Sequence, residues 1–266
     1  MKTRPKRIVV KIGTNSMMKN GKIDKALIKS LAQELSSLRV LGSDVVLVSS
    51  GAIGFGIEKM KINFPTEMPM KQAMASIGQN LLMNEYERNF KKFDQTIAQI
   101  LVTPQSFVED LQLKNLQSAV ESLFSLDVIP IMNENDVVAI DALSEEKVFS
   151  DNDGLAALAV INFEADLLVI LTDVDGVFTD NPKENHLAEK IRNLEDLLNK
   201  SITARNKSTY GIGGIKSKIF AVNKVLEKGV SVAVCQARKG AIADVINGKC
   251  TGSFFEKGKY SWIQLF

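Results

Sequence analysis

Short apolar runs alternate along the chain with longer segments whose apolar residues recur every three or four positions. The short runs, predicted as strands, cover 7–12, 44–49, 96–102, 128–132, 167–171 and 230–235. The longer segments, predicted as helices, cover 24–41, 70–90, 111–126, 152–163 and 214–228. Continuous apolar strands are typical of sheets covered on both faces, and their alternation with helices predicts parallel pairing. We therefore expect an α/β fold with a mainly parallel central sheet between helical layers.

Composition narrows the class of protein. The chain has 266 residues, of which 45% are hydrophobic and 24% charged, and its formal net charge is +2. These values are typical of globular proteins, and the length suits one large domain, which we expect to cover 1–266. A near-neutral chain has no global field that would recruit nucleic acid or a membrane surface. No apolar run approaches the roughly 18 residues of a membrane span, so a cytoplasmic location is expected.

The reactive side chains exclude some kinds of catalysis. Cys235 and Cys250 lack metal-ligand spacing, and the single histidine, His186, lies in a polar segment. This composition argues against zinc hydrolysis and histidine-dependent triads. It is compatible with phosphoryl transfer to a carboxylate, because a Glu side chain, with a pKa of about 4.3, is already an anionic nucleophile at neutral pH. Such a reaction needs positioning, charge neutralisation and Mg²⁺ rather than a general base.

Two lysines lie beside glycine-rich backbone. Lys11 ends the first predicted strand just before Gly13, and Lys218 closes the segment 211–218. Lysine neutralises phosphate charge, and glycine lets backbone N–H groups approach a phosphate. The segment 211–218 fits neither the P-loop nor the dinucleotide-binding spacing. The pair therefore predicts a phosphoryl-transfer site of another type, while the alternative for Lys11 is an ammonium group that reaches solvent at a strand edge.

Polar residues follow the predicted strands, where ligands collect in parallel sheets. Ser50, Gly51 and Ala52 precede a short helical segment, 53–60. Ser50 could cap that helix, and the free N–H groups could also bind a carboxylate or phosphate. Asp136, after the strand that ends at 132, either lies in an ordinary turn or receives a cationic group of a small substrate.

Two acidic motifs have alternative interpretations. Asp151 and its neighbours up to 153 precede an apolar helix, so they could form its N-cap, or Asp151 could pair with Lys11 and Lys218. Asp173, in the motif Asp-x-Asp-Gly after a strand, also resembles the nucleophile motif of haloacid-dehalogenase phosphatases. Its late position and the lack of a following adjacent Asp pair make that alternative weak.

In this order, the motifs resemble those of the amino-acid kinase family over nearly the whole chain. The resemblance is closest to members that phosphorylate the side-chain carboxylate of glutamate at the start of proline synthesis. It implies a three-layer α/β/α sandwich, ATP and Mg²⁺ as cofactors, and a homo-oligomer of unspecified size. The matching segments are 11–14, 48–53, 75–79, 130–136, 151–153, 171–179 and 211–218.

The resemblance also implies a role for each matching residue. Lys11 and Lys218 would stabilise the transferring phosphoryl group, and Asp151 would organise them. The part before about 166 would bind glutamate and the part from about 166 to 266 would bind ATP, with no metal ligand assigned. Glutamate would be held by Ser50, Gly51, Ala52, Asp136 and Asn152. ATP would meet Lys11, Gly13, Thr172, Asp173, Ile212, Gly213, Gly214, Ile215, Lys216, Ser217 and Lys218.

The sequence departs from the family pattern in a few places. Ile212, Ile215 and Ser150 replace the usual Thr, Met and Gly, and the C-terminal PUA domain of many relatives is not expected here. Proline feedback inhibition is common in the family, although no residue of this sequence shows it. Sister kinases act on N-acetylglutamate, aspartate, carbamate, UMP or isopentenyl phosphate. Among these acceptors, Asp136 favours one with a free α-ammonium group. A non-catalytic amino-acid sensor with the same fold is a further alternative, and the presence of Lys11, Asp151 and Lys218 together disfavours it.

Overall fold

A seven-stranded sheet forms the centre of the computed structural model, which describes residues 4–19, 21–138, 151–199 and 215–256. The strands are β1 (Arg7–Ile12), β2 (Met18–Lys19), β3 (Lys22–Ile23), β4 (Asp44–Ser49), β5 (Ile97–Val102), β6 (Ile129–Glu134), β7 (Leu167–Thr172), β8 (Val177–Phe178), β9 (Lys190–Ile191), β10 (Ser231–Gln236) and β11 (Ser253–Phe255). The main sheet has the order β11-β10-β7-β1-β4-β6-β5, and all its strands except β11 run parallel. The predicted parallel sheet is therefore confirmed.

Helices cover both faces of this sheet, as the alternating pattern predicts. They are α1 (Thr14–Met17), α2 (Lys25–Val40), α3 (Ala52–Met60), α4 (Met68–Phe90), α5 (Asp110–Ser125), α6 (Asn152–Asn162), α7 (Leu194–Asn199), α8 (Ile215–Leu226) and α9 (Ala241–Ile246), with 3-10 turns at Lys91–Phe93 and Pro104–Phe107. The long predicted helices all form with boundaries shifted by a few residues. The short helices α7 and α9 were not predicted.

Alternation along β1 shows how the sheet separates two cores. Ile8, Val10 and Ile12 pack into one core with residues of α2, α4 and α9. Val9 faces the opposite core, which contains residues of α5, α6 and α8. Because side chains alternate along a strand, Lys11 points to the same face as Val9. The three-layer sandwich is thus confirmed, and its geometry directs Lys11 toward α6 and α8.

Helices α3 and α4 meet through glycine. A Cβ at Gly78 would lie 1.7 Å from the carbonyl oxygen of Ala52, and one at Gly56 would lie 2.1 Å from that of Met74. The two backbones can approach this closely because neither glycine carries a side chain. This contact fixes α3, and with it the loop that follows β4, against α4.

The sequence pattern also predicts an irregular hairpin over 137–149 and a closing hairpin of 252–255 with 260–265, and both fall partly outside the described residues. The segment 252–255 was expected to pair with 260–265, and the described part of it, β11, pairs with β10 as an antiparallel edge strand. The predicted pairing with 260–265 stays a prediction, since 260–265 lies outside the described residues. The predicted hairpin over 137–149 is described only at 137 and 138. Among the described ranges, no helix has both the length and the apolar character needed to cross a membrane.

Candidate active site

Two lysine ammonium groups share one buried carboxylate at the carboxyl edge of the sheet. Lys11 Nζ, on β1, lies 2.6 Å from Asp153 Oδ1, and Lys218 Nζ, on α8, lies 3.2 Å from Asp153 Oδ2. Asp153 is 0% exposed and lies in the first turn of α6. The sequence predicted a carboxylate between these lysines but assigned Asp151 to that place. The structure corrects this assignment to Asp153.

The charges of this cluster support one another. Burial alone would raise the pKa of Asp153, but Lys11 and Lys218 outweigh it and hold that pKa well below its usual range. Burial alone would lower the pKa of Lys218, but Asp153 outweighs it and raises that pKa. Two ammonium groups therefore meet at one buried carboxylate, and Asp151 and Asp173 also act electrostatically on Lys218. Two cations held in a fixed geometry suit a phosphoryl group that gains negative charge in a transition state.

Asp151 occupies the N-cap of α6, which was the alternative interpretation of the sequence. Its Oδ1 accepts hydrogen bonds from the backbone N–H groups of Asp153 and Gly154, each at 3.0 Å. Its other carboxylate oxygen accepts a hydrogen bond from the hydroxyl group of Ser217, on α8. Asp151 therefore fixes the helix start that carries Asp153 and ties it to the helix that carries Lys218.

The loop after β4 brings backbone N–H groups toward the same edge. Gly51 is the N-cap of α3 with φ 110°, a left-handed conformation that favours glycine, and a Cβ there would lie 2.4 Å from Met17 Cε. Ser50 does not cap α3, which was one of its two interpretations, because Gly51 is the N-cap and no side chain caps this helix. Ser50 Oγ instead accepts a hydrogen bond from Asn152 at 2.7 Å. Ala52 is buried and begins the helix. These predicted residues do lie together beside Asn152.

The network around Asn152 includes two residues that the sequence analysis did not assign to the site. Asn152 Nδ2 also donates to Asn133 Oδ1 at 2.9 Å, and Asn133 Nδ2 donates to Gln79 Oε1 at 3.0 Å. Both residues lie in segments quoted for the family resemblance. Their polar character at the end of β6 and on α4 was the available signal, but only the fold places them in contact.

Asp136 lines a cavity that Gln79 of this network also lines. The cavity has a volume of about 290 Å³ and lies between α4 and the ends of β5 and β6. Its lining includes Gln79, Asn80, Gln99 and Glu134 in addition to Asp136. Burial raises the pKa of Asp136 to about 6. Burial destabilises the ionised form of such a carboxylate, and a nearby cationic group of a ligand would stabilise that form.

Thr172 and Asp173 lie at the end of β7, beside β1. The hydroxyl group of Thr172 donates to Asp173 Oδ1 at 3.2 Å, and Lys183 Nζ lies 2.6 Å from Asp173 Oδ2. Burial alone would raise the pKa of Asp173, but Lys183 outweighs it and lowers that pKa. Asp173 also contributes to the raised pKa of Lys218, so it lies near the lysine cluster.

The remaining predicted nucleotide contacts are described only in part. Ile212, Gly213 and Gly214 lie outside the described residues, as does the side chain of Lys216. Ile215 begins α8 and packs against the core of that face. A Cβ at Gly13 would lie 3.4 Å from Lys11 Nζ, so glycine leaves room beside the ammonium group.

Comparison with known proteins assigns the family. A model of the amino acid kinase family matches residues 6–236. The chain belongs to the amino acid kinase family. This amino acid kinase is 39% identical over 260 residues to glutamate 5-kinase of Enterococcus faecalis, with 95% of each chain covered. It is 37% identical over 258 residues to glutamate 5-kinase of Ligilactobacillus salivarius, covering 95% of this chain and 96% of the relative.

Solved structures of distant sequence share the fold of this amino acid kinase. Carbamate kinase from Giardia lamblia bound to AMP-PNP has a TM-score of 0.63 at 17% identity, covering 95% of this chain and 99% of that chain. Isopentenyl phosphate kinase of T. acidophilum, in a product complex, has a TM-score of 0.64 at 15% identity, covering 94% of this chain and all of that one (100%). At these identities the likeness supports the three-layer fold alone.

Proposed function

We propose that this amino acid kinase transfers the γ-phosphoryl group of ATP to the side-chain carboxylate of L-glutamate. The products are L-glutamyl 5-phosphate and ADP, and the reaction begins proline biosynthesis. The buried cluster of Lys11, Asp153 and Lys218 carries the reaction type, because it holds two cations at the sheet edge where ligands bind. The identity to glutamate 5-kinases over 95% of the chain supports the choice of acceptor.

The residues divide between the two substrates in a way that agrees with this reaction. Ser50, Gly51, Ala52, Asn152 and Asp136 would bind glutamate. The end of β7 and the start of α8 would bind ATP, so the part of the chain before about 166 serves the acceptor and the later part serves the nucleotide. Lys11 and Lys218 belong one to each part and meet at Asp153.

Magnesium would enter this site with the nucleotide. Among the described residues, no group of three or more His, Cys, Asp and Glu side chains could hold a metal ion. Mg²⁺ commonly takes only one or two protein carboxylates and completes its coordination with substrate phosphates and water. Asp151 and Asp173 both act electrostatically on Lys218 together with Asp153, so they are the carboxylates that would hold such an ion. Mg²⁺ would supply further neutralisation of phosphate charge.

The experiment is ATP consumption with Mg²⁺ and L-glutamate, with hydroxylamine to trap the acyl phosphate. Hydroxamate should form with glutamate and not with N-acetylglutamate, aspartate, carbamate or UMP. Turnover with one of those acceptors instead would show that the substrate assignment is wrong. The expected location in the cytoplasm rests on the apolar pattern of the sequence, whereas assembly into a homo-oligomer and inhibition by proline rest on the family resemblance. Inhibition is tested by adding proline to the same assay, and assembly by light scattering.

A matched pair of variants on α8 tests the catalytic role of Lys218. Lys218→Ala should lower kcat by about 10²–10³, because the charge that Lys218 meets develops mainly in the transition state. Lys224→Ala is the control, since Lys224 lies on the same helix but contacts the ring of Phe220 rather than the acidic cluster. A Lys218→Ala rate close to that of Lys224→Ala would refute the role.

A further inference from the structure

A chain of amide hydrogen bonds crosses from α4 to the start of α6. We call Gln79, Asn133 and Asn152 the amide relay. Asn133 Nδ2 donates to Gln79 Oε1 at 3.0 Å, and Asn152 Nδ2 donates both to Asn133 Oδ1 at 2.9 Å and to Ser50 Oγ at 2.7 Å. Each amide in the relay donates to the next oxygen, so the chain of bonds has one direction.

The relay determines which end of the Asn152 amide faces the site. An amide has two N–H donors, and both donors of Asn152 are directed to Asn133 and Ser50. Turning the Asn152 amide around would bring its oxygen against Asn133 Oδ1, where two acceptors would repel. Asn133 could relieve this by turning as well, but its Nδ2 is held by Gln79 Oε1. The orientation of Asn152 therefore depends on an acceptor at position 79.

In this orientation the oxygen of the Asn152 amide is left without a hydrogen-bond donor from the described residues. Asn152 Oδ1 is buried and accepts no hydrogen bond from the described part of the chain. A buried acceptor left in this condition costs about 1–3 kcal/mol, so the site gains when a ligand brings a donor. At neutral pH the carboxylates of L-glutamate only accept hydrogen bonds, whereas its α-ammonium only donates them.

We propose that Gln79 is a positioning residue, which orients Asn152 through Asn133 so that Asn152 Oδ1 accepts a hydrogen bond from the α-ammonium of L-glutamate. The inference rests on the proposed function, because it takes glutamate as the acceptor substrate. Gln79 also lines the same cavity as Asp136, whose carboxylate suits the same ammonium group. The ammonium group would therefore meet two partners, the charged carboxylate of Asp136 and the neutral amide oxygen of Asn152 that the relay orients.

Three variants on one helix separate this role from a structural one. Gln79→Met removes the acceptor at similar length, and we expect about a tenfold higher KM for glutamate with kcat and the KM for ATP near wild type. Gln79→Glu keeps an acceptor oxygen toward Asn133, so its KM for glutamate should stay within about threefold of wild type. Asn84→Ala is the control, because Asn84 is exposed on the same helix, lies outside the cavity lining and contacts Asn80 rather than the relay.

A ligand without the ammonium group gives a second test that does not depend on kcat. Glutarate lacks the α-ammonium but keeps both carboxylates, and its inhibition constant against glutamate can be measured in each variant. Gln79→Met should leave the Ki of glutarate unchanged, since the lost orientation served the ammonium. An equal weakening of glutarate and glutamate would show a general disturbance of the pocket and would overturn the inference.

The outcomes distinguish this inference from the proposed function. If wild-type protein forms hydroxamate with glutamate but Gln79→Met keeps a wild-type KM, the relay role is wrong and the kinase assignment stands. If wild-type protein forms no hydroxamate with glutamate, the proposed function fails, and the relay role fails with it. A tenfold KM change for glutamate, absent for glutarate and restored in Gln79→Glu, would support the inference.

Discussion

Asp153→Asn should destabilise the folded protein more than any other conservative change at the site. The carboxylate is 0% exposed and lies 2.6 Å from Lys11 Nζ and 3.2 Å from Lys218 Nζ. Coulomb's law with an effective dielectric constant near 20 gives about 6 and about 5 kcal/mol for these contacts before desolvation is subtracted. Removing one partner of a buried ion pair costs about 3–5 kcal/mol in practice, because the remaining charge stays buried and unpaired.

Urea unfolding followed by circular dichroism at pH 7, without nucleotide, measures this loss. Asp151→Asn is the matched control, since Asn caps a helix about as well as Asp and the loss should stay below about 1 kcal/mol. A loss for Asp153→Asn no larger than that of the control would refute the reasoning, because the shared carboxylate would then contribute nothing to stability.

The same ion cluster predicts a pH dependence. The lysines lower the folded-state pKa of Asp153 below its unfolded value of about 3.9. The folded protein therefore holds its carboxylate ionised more strongly than the unfolded chain does, and the stabilisation is complete above about pH 4. It is lost as the pH falls through the folded-state pKa. The stability difference between wild type and Asp153→Asn should accordingly shrink below about pH 4 in the same urea experiment.

Three further changes test other parts of the structure. If Asp136 binds the α-ammonium, the KM for glutamate should rise as the pH is lowered through 6, because the carboxyl group of Asp136 has a pKa of about 6 and loses its charge there. Asp136→Asn should remove this pH dependence of KM, as measured from initial rates. Gly78→Ala places a Cβ 1.7 Å from the carbonyl oxygen of Ala52 and should lower the free energy of unfolding in urea by about 3 kcal/mol. Gly54→Ala is its control, because the new Cβ would lie 3.4 Å from Thr14 Cγ2 and the change should stay within about 1 kcal/mol. Glu34→Ala removes the acceptor of three backbone N–H groups at the start of α9 and should cost about 1–3 kcal/mol of unfolding free energy, an effect that Glu34→Gln should partly reverse.

The sheet and the long helices could be predicted because their signals are local. An apolar run such as that of β7, buried at every position, is strongly patterned whatever surrounds it. The alternation along β1 even indicates that Val9 and Lys11 share a face. The short helix α9 carries too few residues for such a pattern, and it depends on Glu34 from α2, which is distant in sequence.

The sequence did not determine whether Asp151 or Asp153 contacts the two lysines. Both are acidic, they are two residues apart, and both precede the same apolar helix. The predicted helix and the observed one both begin at residue 152, so the helix start was not the source of the error. Which carboxylate reaches the two lysines depends on how α6 packs against β1 and α8, and no local pattern gives that contact. The helix begins at Asn152, so Asp151 becomes the cap and Asp153 enters the first turn. Gln79 was missed for a related reason, since its contact with Asn133 depends on α4 lying over the sheet.

In the proposed reaction, the short segment at the start of α6 would serve both substrates. Successive residues at a helix start point in different directions, about 100° apart around the axis. Asp151 turns back to the backbone and to α8, Asn152 turns to Ser50 and Asn133, and Asp153 turns to Lys11 and Lys218. The proposed glutamate contacts and the two lysines of the proposed phosphoryl site are therefore held by neighbouring residues of one rigid element. A shift of this helix start would move both together, which keeps the proposed glutamate carboxylate and the transferring phosphoryl group in register.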